Sequence, residues 1–266
     1  MAEISIRYPA LMRSSALAVL AYRGRLVVRF LTDLFPFLLM AVWLTVVATA
    51  GPPRGWTAAD FVAYYAMAAV LMQLSGQHVV WEWDRDLRSG DLSVRLLRPL
   101  HPFHQYVASD LGYRVVSLAL FVPGLVLVAV LLPVLTLDLT VTRAALAVPA
   151  TLLAYLVGVL MASIVALLGF WSTQTTNVWM LFWGLGSFTS GWVAPVELMP
   201  GWIEAVAPWL PFFTTLGFPV ELWTGRMTES ESGVHFVVAV GWALLFAAAY
   251  TVVWPRAVRR YQAVAG

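Results

Sequence analysis

The chain has 266 residues, of which 61% are hydrophobic and 11% charged, with a formal net charge of +2 and a mean hydropathy of +0.81. A soluble domain carries about 25% charged residues, so this balance, with 13 Trp, 14 Phe and 9 Tyr, excludes a water-facing globule and reads as an integral membrane protein. The absence of Cys excludes disulfides, thiolate nucleophiles and thiolate metal sites, and the absence of Lys excludes a Walker A loop or a Schiff base on this chain.

The first element is the stretch 8–30, where apolar residues alternate with Arg13, Arg23, Arg25 and Arg29. No uninterrupted apolar core precedes a small-residue cleavage site, so it is not a signal peptide. It reads as an amphipathic helix on the inner leaflet with its Arg heads toward anionic lipid headgroups; the alternative is a longer first span with a basic flank. Six segments then have the roughly 20 mostly apolar residues a bilayer core requires: 31–50, 60–81, 107–135, 144–170, 177–194 and 234–254. Pro123 is a candidate kink in the third. With the N-terminus inside, Arg7, Arg13, Arg23, Arg25, Arg29, Arg85, Arg88, Arg95, Arg98, Arg114, Arg256, Arg259 and Arg260 are cytoplasmic, and only Arg54, Arg143 and Arg226 are outside. This positive-inside bias places both termini in the cytoplasm.

Two connections are too long for a plain bundle. The cytoplasmic one, 82–105, holds Glu82, Asp84, Arg85, Asp86, Arg88, Asp91, Arg95 and Arg98, with a turn at Gly90–Asp91 and a short amphipathic stretch over 92–97 that stops before Pro99. Leu92, Leu96 and Leu97 form one apolar edge, with Arg95 and Arg98 elsewhere around the helix, a pattern suited to a partner's groove; a solvated loop on the headgroups is the plainer reading. The outer connection, 195–233, mixes Pro195, Pro200, Pro208, Pro211 and Pro219 with Trp202, Trp209 and Trp223. It is too apolar for a soluble loop and too broken by Pro for a span, which fits short re-entrant or interfacial helices.

Asp84, Asp86 and Asp91 could in principle hold Mg²⁺ for a membrane-embedded transferase, but the interleaved Arg85 and Arg88 argue for a charged loop, and no metal site is expected. His101 and His104 flank Pro102 and read as solvated loop residues. Gln73, Gln77 and His78 form a polar strip in the second span, suited to helix–helix hydrogen bonding or to a substrate path. In the fifth span, Gly186 with Ser190 and Ser187 with Gly191 are small-xxx-small pairs near Thr189, and helix packing is the first reading. Asp33 is the one intramembrane acid in this reading, and the lack of ionisable groups near the midplane argues against a secondary carrier or pump.

The residues RSGDLSVRLLRPL, at 88–100, resemble the Gly-Asp-Leu…Leu-Leu-Arg-Pro-Leu signature of a bacterial subgroup of permease subunits of type-2 ABC exporters. The segment GWVAPVELMPGWIEAVAPWLPF, at 191–212, is similar to the re-entrant region of the same superfamily, and the order of features extends the resemblance over essentially the whole chain. The resemblance implies an all-α integral membrane protein that is one transmembrane domain over 1–266. Its parts are six spans, an N-terminal interfacial helix, a cytoplasmic coupling helix and extracellular re-entrant helices before the last span. By the same resemblance, Asp84, Arg85, Asp86, Arg88, Gly90, Asp91, Leu92, Arg95, Leu96, Arg98 and Pro99 belong to the loop that docks on an ABC ATPase, and Gln73, Gln77, His78, Ser187, Thr189 and Ser190 are candidates to line the path. ATP and Mg²⁺ would sit on partner ATPase subunits, because six spans leave too few residues for a nucleotide-binding domain. A second permease, identical or, preferably, paralogous, would complete the path for an amphipathic or lipid-like small molecule, in a bacterial cytoplasmic membrane. No catalytic residue and no nucleic-acid partner is expected. The rival readings are the metal-dependent transferase and a membrane assembly factor that transports nothing.

Overall fold

A computed structural model describes residues 2–21, 33–74, 78–131, 140–172 and 175–265. Gln77, Arg23, Arg25, Arg29 and the end of the third predicted span, 132–135, lie outside the described residues. Among the described residues the fold is all-helical, without strands. In chain order the helices are α1 (Ala2–Ala21), α2 (Phe35–Ala50), α3 (Ala58–Leu74), α4 (His78–Ser89), α5 (Asp91–Leu96), α6 (Pro102–Leu131), α7 (Val141–Leu167), α8 (Thr175–Thr189), α9 (Gly201–Val206), α10 (Pro211–Thr215), α11 (Gly217–Thr224) and α12 (Glu229–Ala265).

Among the described residues four stretches are long and apolar enough to cross a membrane: Ala58–Ser89, whose described parts are α3 and α4, then Pro102–Val126, Val141–Phe170 and Glu229–Tyr261. The helices over the first and fifth predicted spans, α2 and α8, have 16 and 15 residues. At 1.5 Å per residue they reach only about 24 Å, short of the ~30 Å hydrocarbon core. α6 runs through Pro123, and α7 and α12 likewise continue through Pro149 and Pro255.

Local sequence sets the helix starts. Thr57 and Asp60 form a reciprocal cap on α3: the Thr57 amide donates to Asp60 Oδ2 at 2.8 Å, and the Asp60 amide donates to Thr57 Oγ1 at 3.3 Å. Thr228 and Glu231 repeat the device at the start of α12, at 2.9 and 3.4 Å, and Thr140 Oγ1 accepts from the Arg143 amide to start α7. In the Pro-rich segment, Pro195 and Pro200 stand just before short helical turns, and Pro208 and Pro211 fall within the first turn of theirs. Proline favours a helix start, and its close recurrence here divides the segment into a chain of short helices.

α7 is the central helix. Its small residues Ala147, Ala150, Ala154, Gly158, Ala162 and Ala166 recur every three or four positions, and all are buried. Such a stripe lets neighbouring backbones approach closely, the main packing device available where lipid removes the hydrophobic drive between helices. α12, α10, α11 and α4 pack around it, α3 pairs with α2 and α11, and α1 lies along α6. The α1 contact is intimate: a side chain at Gly112 would collide with the Met12 carbonyl, and Ser15 Oγ donates to the Ser109 carbonyl at 2.7 Å. Large apolar side chains such as Leu38, Leu181, Val237 and Leu244 remain exposed on the outer helix faces. A water-soluble monomer does not sustain apolar patches of that extent.

Candidate functional site

Residues 82–105 are mostly helical rather than a loop. Glu82–Ser89 extends α4 beyond the predicted end of the second span, Gly90 turns the chain with φ +82°, and α5 follows before Pro102 opens α6. The positive φ suits glycine, which lacks the Cβ that disfavours this conformation. The predicted apolar edge divides. Leu92 is fully buried and Leu96 half-buried against the bundle, whereas Val94 and Leu97 are 52% and 87% exposed, beside exposed Arg98 and Pro99. The exposed apolar edge of this tip is therefore Val94 with Leu97, because positions 92 and 96 share the inward face of α5.

Arg95 also departs from its expected place. Its side chain is 15% exposed and turns inward, with Nε 2.6 Å from Asp86 Oδ2 and Nη2 2.7 Å from Glu82 Oε1. Its guanidinium lies 4.2 Å from the centroid of Tyr106, whose hydroxyl donates to Asp86 at 3.1 Å. Ser109 Oγ donates to Glu82 at 3.0 Å, extending the network toward Ser15 of α1. Gln105, fully buried, donates to the carbonyls of Arg95 (2.8 Å) and Leu100 (2.7 Å) and fixes the α5–α6 turn. The three candidate metal acids are thereby separated. Asp86 serves Arg95 and Arg85, Asp84 pairs with Arg88 at 2.9 Å and accepts from Thr176, and Asp91 accepts from Ser89. Among the described residues no group of three or more His, Asp or Glu comes together as a metal site. His101 is solvent-accessible, as expected, with one ring face 4.6 Å from Trp254, and His104 Nδ1 meets Tyr8 Oη at 2.9 Å. Burial, aided by the neighbouring His104, pushes the His101 pKa down from its ordinary value.

Toward the other end of the bundle, α3, α7, α8, α10 and the 190–192 turn line an open-mouthed cleft. Trp179, Phe182, Trp183, Trp192 and Phe212 form its walls with Met72 and Met161, and Ser187, Ser190 and Thr215 bring the hydroxyls. Among the described residues no charged side chain lines it. Gly186 opens the wall, since a Cβ there would lie 2.7 Å from the Phe212 ring. The turn that closes the cleft is gripped by α3: Tyr64 and Tyr65 hydroxyls donate to the Gly191 and Val193 carbonyls, each at 2.8 Å. Of the predicted path residues, Ser187 and Ser190 line the cleft. Thr189 instead donates back to the Leu185 carbonyl at 3.3 Å, Gln73 is buried off the cleft, and His78 stacks on Tyr113 at 4.0 Å. The two small-xxx-small pairs pack within the chain, Gly186 on Phe212 and Gly191 on Tyr64.

Beyond the cleft the three arginines assigned to the outside gather at one end. Arg54 pairs with Glu204 at 2.8 Å, and Arg226 stacks 4.0 Å over Trp56 with Glu197 at 3.6 Å and Asp60 at 3.8 Å. Arg143 packs against Gly225. Beside them, burial and the nearby Glu197 raise Glu221 from the ordinary 4.5 to about 8.

The sequence pattern of the ABC-2 family transporter protein matches residues 34–265, nearly the whole chain. The chain belongs to the ABC-2 transporter family. No curated protein and no solved structure matches it. The family is the membrane permease component of type-2 ABC transporters and associates with an ABC ATPase; with its apolar helices, this makes the chain a multi-pass membrane protein.

One feature of this ABC-2 permease overturns the sequence expectation. Asp33 is not its sole intramembrane acid. Asp110, fully buried in α6 within the predicted third span, pairs with Arg114 at 2.6 Å. Arg114 is buried too, although its charge suggested a cytoplasmic position. Tyr155 of α7 donates to Asp110 at 2.9 Å, and Arg114 donates to the Gln73 carbonyl of α3. Opposite charges four residues apart on one helix were a usable signal. The same i,i+4 spacing marks Glu82 and Asp86 as one face and Asp84 and Arg88 as another.

Proposed function

We propose that this protein is a six-span permease subunit that moves a neutral amphipathic or lipid-like small molecule outward, driven by separate ATPase subunits. α2 and α8 count as the additional spans. The Val94–Leu97 edge, with Arg98 and Pro99, is the contact that enters the ATPase cleft, and both termini lie on that cytoplasmic side. α1 is the interfacial helix, and the short helices of 195–233 are the outer re-entrant segment. The setting is a bacterial cytoplasmic membrane, with a second permease, identical or paralogous, completing the path.

The observation that carries this reading is the pairing of two features in one ABC-2 chain: an apolar tip exposed beyond a helix break, and an uncharged aromatic cleft in the bundle. An apolar edge of two side chains next to Arg98 suits a groove on a soluble partner. A cleft with aromatic walls and only hydroxyls for polarity favours neutral amphipathic cargo, because an ion would enter without a counter-charge. ATP and Mg²⁺ belong to the partner.

The absence of native cysteine provides the test. A single Leu97→Cys carrying a photo-crosslinker in native membranes is expected to capture an ABC ATPase, and the same label at Val237 on the outer face of α12 is not. Capture of no ATPase from position 97 rejects the docking assignment. A tagged chain that retains no ATPase at all returns the reading to a non-transporting assembly factor.

A further inference from the structure

The Asp110–Arg114 pair has no part in the docking tip or in the cleft lining, yet two ionised groups buried in a span are costly unless fully engaged. Both carboxylate oxygens of Asp110 face Arg114, at 2.6 and 2.9 Å, and Tyr155 adds a hydrogen bond from α7. So held, the guanidinium lies 5.4 Å from the Tyr155 ring and reaches across to the main-chain carbonyl of Gln73. Gln73 stands at the end of the described part of α3, next to Met72 in the cleft wall, and α4 with its tip resumes at His78. A guanidinium that donates to a buried main-chain carbonyl makes a strong and directional hydrogen bond. The planar fork of Arg is suited to bind the carboxylate and the carbonyl together.

We propose that Arg114 is a positioning residue that clamps the second span at Gln73, so that displacement of the α4–α5 arm reaches Met72 and the cleft instead of being lost as bending. Asp110 and Tyr155 aim the guanidinium, and α6 and α7 are the frame against which the span is held. The transport consequence rests on the permease reading; the clamp itself does not.

The test uses the full chain in lipid nanodiscs, with spin labels on Ala58→Cys and Trp81→Cys, both exposed and on either side of Gln73. The unmodified pair is expected to give one narrow distance distribution. Asp110→Asn with Arg114→Gln leaves no orphaned charge and is expected to broaden and shift that distribution while the chain remains monodisperse. The exchanged pair, Asp110→Arg with Arg114→Asp, keeps an ion pair but offers no donor to the Gln73 carbonyl, and is expected to stay broad. Arg114→Lys restores a donor and is expected to narrow it in part. If the exchanged pair restores the narrow distribution, the ion pair is a packing element only and the clamp is wrong; an unchanged distribution in the neutral double variant also overturns it. In complex with its ATPase, the neutral double variant is expected to keep hydrolysis and lose transport. Failure of the wild-type chain to bind any ATPase counts against the permease reading and leaves the label distances to decide the clamp.

Discussion

Arg95 Nε lies 2.6 Å from Asp86 Oδ2, across the turn made by Gly90, and Asp86 is almost completely buried. The pair fixes α5 to α4, so the charged residue that looked like a contact for a partner is the brace that holds the exposed Val94–Leu97 tip. Removing Arg95 leaves the acidic Glu82 and Asp86 with only the exposed Arg85 as counter-charge, at a cost below the roughly 3–5 kcal/mol of a fully orphaned buried charge. Arg95→Gln is therefore expected to lower the thermal midpoint of the purified chain. Leu97→Glu, at an 87% exposed position, is expected to leave the midpoint unchanged and abolish ATPase retention. Equal midpoints for the two variants would place Arg95 outside the brace.

Gly186 sets the width of the cleft. A leucine there enters the space beside Phe212 and is expected to abolish stimulation of ATPase activity by amphipathic compounds while basal hydrolysis in the complex persists. Stimulation retained at full amplitude would put the cargo elsewhere.

Glu221 gives the outer end a pH dependence of defined sign. Its folded-state value of about 8 lies above the ordinary 4.5, so the folded chain holds this proton more tightly than the unfolded one. The stabilisation is complete at acid pH and lost as pH rises through 8. The thermal midpoint is expected to fall between pH 5 and 8 and level off above, with Glu221→Gln removing this component of the slope. A Glu221→Gln profile that superimposes on wild type would contradict the assignment.

Gly112 is a point of close approach of α1 to α6. Gly112→Leu drives a side chain into the Met12 backbone, an overpacking that costs about 1–3 kcal/mol and that α1 can relieve by lifting away. Trypsin cleavage after the exposed Arg13 is expected to accelerate in this variant while the rest of the chain stays resistant. Unaltered cleavage would mean that α1 is held by contacts other than this one.

Much of the architecture can be read from composition and spacing. Apolar runs locate the long helices, Thr57 with Asp60 and Thr228 with Glu231 mark two helix starts, and the Pro-rich segment announces short helices by its breakers. The small-residue stripe of α7 from Ala147 to Ala166 could equally have identified the central helix. What sequence does not resolve is direction. Arg95 and Arg98 are three apart in one basic motif, yet only Arg95 folds inward, because Glu82 and Asp86 one helix earlier present a paired acidic face. Gln73, Ser187, Thr189 and Ser190 are all polar residues in apolar runs. Only the packing of α3 and α8 against the short helices decides that Ser187 and Ser190 meet the cleft. Asp110 and Arg114 sit in a run whose mean hydropathy hides them, since the apolar residues around them dilute two charges in any window long enough to detect a span.

The hydroxyls of Tyr64 and Tyr65 reach carbonyls 127 and 128 residues further along the chain. During synthesis those tyrosines enter the membrane long before Gly191 and Val193 exist to receive them, and non-local contacts of this separation form late. The cleft is therefore among the last features of the molecule to mature. A chain halted before residue 191 would hold α3 with the Tyr64 and Tyr65 hydroxyls in an apolar setting before either has its carbonyl acceptor.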